Sequence, residues 1–241
     1  MPCQSDLQQL MEEFRALKKP SILLVRRAPR GITGRKGHLG IFPASFNPPT
    51  KAHVALVRKA KTQFALDELL VLLDLQAMDK RIMDAPLEDR LIMLQMIFKR
   101  DPTISIGLSN RGLFVDKIPA LRDTYPLRAS FTFVVGFDTL LRVMDKKYYQ
   151  NRKASLDKLF RESQFLVANR EDNSMEAFQR LFEMPENQRY KRRVCFFALP
   201  VTFSFHSSSL VREKIGRGEP VEAHVSAPIL QFIQERGLYA A

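Results

Sequence analysis

The chain has 241 residues, 45% of them hydrophobic, enough to fill the core of one large domain or two small ones. Its 38 lysines and arginines against 26 acids leave a formal charge of +12, which favours anionic partners such as nucleotides, nucleic acid or phosphate-rich surfaces without choosing among them. Cys3 and Cys195 are too far apart to form a disulfide framework, the first residues lack the apolar core of a secretory signal, and no run reaches the roughly 18 apolar residues of a membrane span, so a soluble protein of the reducing cytoplasm is expected.

Leu7, Leu10, Met11, Phe14 and Leu17 recur at helical spacing and predict an amphipathic helix over 4–18. SILLV at 21–25 predicts a strand. RRAPRGITGRKG follows, with five basic residues, three glycines and a proline, and predicts a mobile, solvated basic loop over 26–36. It is not a P-loop: the spacing G-x-x-x-x-G-K-[ST] is absent, and no serine or threonine follows Lys36 to hold magnesium.

From residue 38 a rhythm sets in. HLGIF (38–42), ELLVLLD (68–74), TISIG (103–107), SFTFVVG (130–136), QFLVA (164–168) and RVCFFAL (193–199) read as strands. KAHVALVRKAKTQFAL, PLEDRLIMLQMIFKR and FVDKIPALRDTY read as helices between them. Near-continuous apolar strands separated by helices predict a doubly wound α/β fold, a parallel sheet buried on both faces with right-handed crossovers. No linker after residue 38 marks off a second domain, so the expectation is one domain over 38–241 with an N-terminal helix, strand and basic loop over 1–37 packed on its core.

In such a sheet ligands bind at the carboxyl ends of the strands, and the first strand-to-helix turn commonly meets phosphate. Here that turn is PASFNPPTKAH. Pro48 and Pro49 stiffen it, Thr50 is placed to cap the next helix, and Lys51, Ala52 and His53 form the first helical turn. His53 then sits where free backbone N–H groups and the positive end of the helix dipole collect anions. The competing reading of the residues alone is a surface histidine on an amphipathic helix.

Ser45-Phe46-Asn47-Pro48 followed by Thr50-Lys51-Ala52-His53 resembles the opening motif of the nucleotidylyltransferase superfamily, G-[ST]-F-[ND]-P and then [HT]-x-G-H. The threonine form is similar to that of the eukaryotic nicotinamide mononucleotide adenylyltransferases. FVVGFDTLLRV resembles that group's G-x-D segment through Gly136 and Asp138, and is followed by KYY and by the strand QFLVANR ending at Arg170. SSSLVREKIGRGEPV resembles the closing motif I-S-S-T-x-[IV]-R-x-x-[IL]-x-x-G, with Ser207, Ser208, Ser209 and Arg212 in register. APLEDRLIML and the tail APILQFIQERGLY resemble the segment after the second strand and the final helix. The resemblance spans about residues 38 to 241, in order.

The resemblance implies a Rossmann-like fold and transfer of a nucleoside monophosphate, with ATP and a mononucleotide as substrates and an NAD-type dinucleotide and pyrophosphate as products. A substrate phosphate oxygen attacks the α-phosphorus, which asks for fixed donors and cations rather than a nucleophile. His53 and Thr50 are then expected to hold α- and β-phosphate oxygens, and Arg212 to neutralise the leaving pyrophosphate. Ser45, Phe46, Asn47, Ser207, Ser208 and Ser209 are expected around the ATP phosphates. Lys80, Gly136, Asp138, Tyr148, Tyr149 and Arg170 are expected at the acceptor. Taken alone, Ser207–Ser209 also read as a plain helix cap. Magnesium is expected to ride on the triphosphate, with no protein metal site, because histidines 38, 53, 206 and 224 are scattered without ligand spacing.

Four departures from the pattern stand out. Pro43-Ala44 replaces two small residues, often Gly-Gly, and Ala52 replaces the commoner glycine. The chain has no tryptophan, so Tyr148 or Tyr149 is expected to stack the acceptor ring, and Ser204 stands near a position where those enzymes carry asparagine. Another phosphorylated acceptor, a CTP donor, a homo-oligomer, and a non-catalytic nucleotide- or nucleic-acid-binding protein all stay open from sequence.

Overall fold

The computed structural model describes residues 4–34, 36–75, 85–169, 174–203 and 206–240. In chain order they build α1 (Gln4–Ala16), β1 (Ile22–Arg26), β2 (Lys36–Ala44), α2 (Lys51–Gln63), β3 (Glu68–Asp74) and α3 (Leu87–Phe98). Then come β4 (Ile104–Ser109), α4 (Phe114–Thr124), β5 (Arg128–Gly136), α5 (Phe137–Met144), α6 (Arg152–Glu162) and β6 (Ser163–Asn169). The chain closes with α7 (Ser174–Glu183), α8 (Pro185–Gln188), β7 (Val194–Ala198), α9 (Ser208–Gly216) and α10 (Ala227–Glu235). Among the described residues no helix is long and apolar enough to cross a membrane.

The seven strands form one sheet in the order β1-β4-β3-β2-β5-β6-β7. Every neighbouring pair is parallel except β1 with β4, which places the N-terminal strand antiparallel at one edge. The doubly wound α/β expectation holds. β3 shows why its sequence is apolar without alternation. Leu70 and Leu72 enter one core with Phe114 and Ile118 of α4, while Leu69, Val71 and Leu73 enter the other with Leu56 of α2 and Leu94 of α3. At β3 neither face of the sheet meets water, so both sets of alternate positions must be apolar.

The basic loop expected at 26–36 leaves Arg27 and Arg30 exposed to solvent, while its described backbone is packed down. Ala28 and Ile32 are buried, and their amides donate to Ser105 Oγ (2.9 Å) and Glu68 Oε2 (2.7 Å). Arg26 donates to the carbonyls of Phe98, Lys99, Asp101 and Ile104. The cause is Glu68, a buried carboxylate at the start of β3 that also accepts from the Ser105 and Tyr125 hydroxyls. A buried carboxylate must find donors, and the loop backbone supplies one.

At the opposite end of the sheet, Asn110 fixes the N-terminal segment. Its Oδ1 accepts from Ser21 N (2.8 Å), and its amide donates to the carbonyls of Leu17 (3.2 Å) and Lys19 (3.0 Å). Met11 and Phe14 of α1 are buried in the α2–α3 core. Asn110→Ala removes three hydrogen bonds and leaves the Ser21 amide without its acceptor, while Leu17 O keeps Arg111 and Lys19 O keeps the Ser21 hydroxyl, and it is expected to lower stability by about 1–3 kcal/mol. Urea unfolding checks this, and an unchanged midpoint would show that water replaces all three bonds.

β2 is the topological hinge of the sheet. From it the chain winds through β3 and β4 to one side, then crosses to β5 on the other. Pairing of β2 with β3 runs to Ala44↔Leu73, but its pairing with β5 ends at Ile41↔Phe133, while β5 stays with β6 to Gly136↔Ala168. The strands β2 and β5 therefore part toward their carboxyl ends, which is where a doubly wound sheet opens its ligand crevice. Pro43, which has no N–H, lies in this parted stretch, so a proline is tolerated in a central strand.

Candidate functional site

The loop 45–50 leaves β2 at the mouth of this crevice. Phe46 holds a φ of 47°, in the left-handed region, and its ring is fully buried. That ring meets Phe42 edge-on at 5.2 Å and lies 5.2 Å from the His53 ring, so it forms an apolar floor beneath the imidazole. Any contact of Phe46 with a ligand is therefore left to its backbone. The peptide bond between Asn47 and Pro48 is cis.

The loop is gripped by its oxygens. Arg90 Nη1 of α3 donates to Ser45 O (3.0 Å), and Arg212 Nη1 of α9 donates to Asn47 O (2.7 Å). Ser208 Oγ donates to Pro48 O (2.8 Å), and the Tyr239 hydroxyl donates to Asn47 Oδ1 (2.8 Å). Arg236 pairs with buried Asp89 at 3.0 Å, which ties the C-terminal segment to α3. Arg90 is 5% exposed, and burial lowers its guanidinium to about 10, so it remains a cation at neutral pH.

His53 is 8% exposed, which rules out the surface histidine of the competing reading. Its Nδ1 lies 2.9 Å from the Thr50 amide and 2.8 Å from Thr50 Oγ1. A backbone amide can only donate, so Nδ1 is the accepting nitrogen and the neutral ring carries its proton on Nε2. Thr50 and His53 thus close the start of α2 as a cap. The expectation of free N–H groups there needs amendment, because the Lys51 amide is also taken, by His224 O at 2.8 Å.

His224 is not isolated either. Its ring meets that of His206 edge-to-face at 4.7 Å, and burial pushes both below the usual histidine value. The histidines read as scattered in sequence therefore include one contacting pair beneath the start of α2.

At α9, Ser207 caps the helix by accepting from Leu210 N (3.1 Å), so the plain cap reading is realised. Ser208 is spent on Pro48, and exposed Ser209 lies 3.5 Å from Arg212 Nη2. Ser209 and Arg212 wall an open cleft of about 530 Å³ with Glu213, Leu238 and Tyr239. The opening and closing motifs, more than 150 residues apart, thus meet at one place.

Across the crevice, Gly136 precedes the first turn of α5, where Asp138 is exposed. The two tyrosines that follow diverge. Tyr149 is half-buried against the core and donates its hydroxyl to Val143 O (2.8 Å), while Tyr148 lies in a 3-10 turn with Lys147 Nζ 4.8 Å over its ring. Lys80, Arg170 and Ser204 lie outside the described residues.

Sequence reasoning missed Arg90 and Tyr239 as holders of the loop. Both stand inside segments whose resemblance was recognised, APLEDRLIML and APILQFIQERGLY. An arginine on a helix reads as solvated until its burial is known.

The chain matches the cytidylyltransferase-like family over residues 41–214. It is 29% identical over 166 residues to a Schizosaccharomyces pombe protein named as a nicotinamide mononucleotide adenylyltransferase, covering 67% of this chain and 63% of that one. To a Bordetella avium protein named as a nicotinate-nucleotide adenylyltransferase it is 26% identical over 207 residues, covering 83% and 97%. Its fold matches that of the Plasmodium falciparum nicotinic acid mononucleotide adenylyltransferase solved with NaAD, with a TM-score of 0.63 at 19% identity over 84% of this chain and 97% of that one. The matched stretch reaches from the parted end of β2, through the gripped loop, to Arg212 in α9, and on that ground the chain belongs to the cytidylyltransferase-like family of nucleotidylyltransferases.

Proposed function

We propose that the chain transfers the adenylyl group of ATP to the phosphate of a pyridine mononucleotide, nicotinamide or nicotinate, giving an NAD-type dinucleotide and pyrophosphate. The observation that carries this reading is the joining of His53, Thr50 and the loop 45–48 to Ser208 and Arg212 of α9 at the β2–β5 crevice. An acceptor phosphate oxygen attacks the α-phosphorus, the bond from that phosphorus to the α–β bridging oxygen breaks, and the electron pair leaves with pyrophosphate. The chain then has to hold groups in line and meet charge on phosphoryl oxygens. His53 does this with its Nε2 proton, Arg212 with its guanidinium in the cleft wall, and Ser209 with its exposed hydroxyl. Magnesium enters on the triphosphate. The names of the relatives supply the pyridine mononucleotide as acceptor.

The test is a donor-by-acceptor screen with pyrophosphate release as readout. Product from ATP with nicotinamide or nicotinate mononucleotide supports the reading, and no product from any mononucleotide with folded protein and magnesium sinks it. Product from a non-pyridine acceptor alone sinks only the acceptor.

The tyrosine pair gives a separate prediction. Tyr148→Ala is expected to raise the acceptor KM about 2- to 10-fold, the range that one ring stacking interaction represents. Tyr149→Phe is expected to leave KM alone and to cost about 0.5–1.5 kcal/mol of stability through its lost bond to Val143. Kinetics and urea unfolding on the two variants check this, and an unchanged acceptor KM in folded Tyr148→Ala would remove that ring from the acceptor.

A further inference from the structure

The amino ends of the strands, opposite the nucleotide loop, carry a second cleft of about 470 Å³ at the starts of β5 and β6 and just before β7. Four arginines line it, Arg122, Arg128, Arg161 and Arg193, with one carboxylate, Glu162. That carboxylate is already spent. It pairs with Arg122 at 3.0 Å, and Arg122 also donates to Leu127 O (3.1 Å) and Ala129 O (2.7 Å) and lies 4.2 Å over the Phe131 ring.

The other three guanidiniums come from separate elements: Arg128 from the first residue of β5, Arg161 from the last turn of α6, and Arg193 from the turn before β7. Among the described residues none of the three has an acidic partner. Like charges drawn into one concavity repel unless an anion joins them. A guanidinium presents a planar fork that fits phosphoryl oxygens two at a time.

We propose that this cleft is a second anion site that takes a small molecule bearing two or more linked phosphoryl groups. Three guanidinium charges exceed the roughly −2 that a single phosphate carries, and the volume lies in the range of small-ligand pockets, about 300–1,000 Å³, rather than of an extended track for a nucleic acid. The site lies at the other end of the strands from His53 and Arg212, and its assignment does not rest on the adenylyl-transfer reading.

The experiment is calorimetric titration of the full chain with inorganic tripolyphosphate, comparing the wild type with the double variant Arg161→Ser/Arg193→Ser, both also on an Arg212→Ala background that weakens the nucleotide loop. The expected result is a binding event that persists with Arg212→Ala, weakens at least tenfold in the cleft double variant, and falls with rising salt. The cleft double variant is expected to keep the wild-type melting temperature and the wild-type turnover of ATP. Unchanged tripolyphosphate binding by the cleft variant overturns the proposal. So does loss of ATP turnover in a folded cleft variant, because the cleft would then not be a separate site. Salt-dependent binding of single-stranded RNA with no response to tripolyphosphate overturns it in favour of a nucleic-acid face.

Discussion

His53→Ala is expected to lower kcat about 10²- to 10³-fold, the roughly 2.7–4 kcal/mol that a preorganised donor gives when it meets charge developing in the transition state. Substrate KM is expected to change much less, because the donor acts on charge that the ground state does not yet carry. The structure adds a second consequence. The ring accepts the Thr50 amide, so its loss also uncaps α2, at about 0.5–2 kcal/mol of stability. Activity must therefore be measured well below the melting temperature of the variant, with kcat recorded beside it. A folded variant that turns over at nearly the wild-type rate removes His53 from the reaction. Arg212→Ala is also expected to impair turnover, since it takes away both a cleft cation and the donor that holds Asn47 O. The double variant is expected to lose less than the two single losses combined, because groups serving one phosphate chain act as a unit.

The core was legible because burial on both faces of a parallel sheet leaves an uninterrupted apolar run, and β3 and β5 carry such runs. Strand ends were off by one or two residues, as at β4, which runs on through Leu108 and Ser109 beyond the expected TISIG. α6 and α7 escaped notice because each turns only a few side chains inward: Leu156, Leu159 and Phe160 in one, Phe178 and Phe182 in the other. A few apolar positions in a polar window make a weak period.

At the site, the residues that sit in a contiguous motif were found, and those supplied from a distance were not. Thr50 and His53 are one helical turn apart, and their pairing follows from spacing. The grip of Arg90 and Tyr239 on the same loop joins residues 45 and 192 positions apart, which no local pattern encodes. The anchoring of the basic loop's backbone was hidden for a related reason: its partner, Glu68, sits at the start of a strand that otherwise reads as pure core. A single long-range carboxylate holds that backbone while Arg27 and Arg30 stay in solvent.

Lys117→Met is expected to have the largest effect on stability, and to show it most at high pH. The Lys117 side chain has no exposed surface, and its Nζ donates to the carbonyls of Arg111 (2.6 Å) and Gly112 (2.8 Å) and lies 3.1 Å from Asp74 Oδ1 at the end of β3. Burial pushes the Asp74 carboxyl up from 3.8 to about 6, with the nearby lysine charge holding it down. Removing that cation leaves a buried carboxylate alone, a loss of about 3–5 kcal/mol while it is ionised. Its native pKa then lies still higher than about 6, while the unfolded chain keeps the ordinary carboxylate value. Across that interval the native state binds a proton that the unfolded state has released, so the stability of the variant falls as pH rises through it. Below it Asp74 is neutral in both states and needs no partner. Urea unfolding at pH 5 and pH 8 is expected to show the larger deficit at pH 8. Asp74→Leu added to Lys117→Met is expected to recover most of the loss at pH 8, since an apolar pair of similar volume carries no charge to desolvate. A deficit independent of pH, or a double variant no more stable than the single one, would mean that Lys117 acts only by holding the turn after β4 through its two carbonyl bonds.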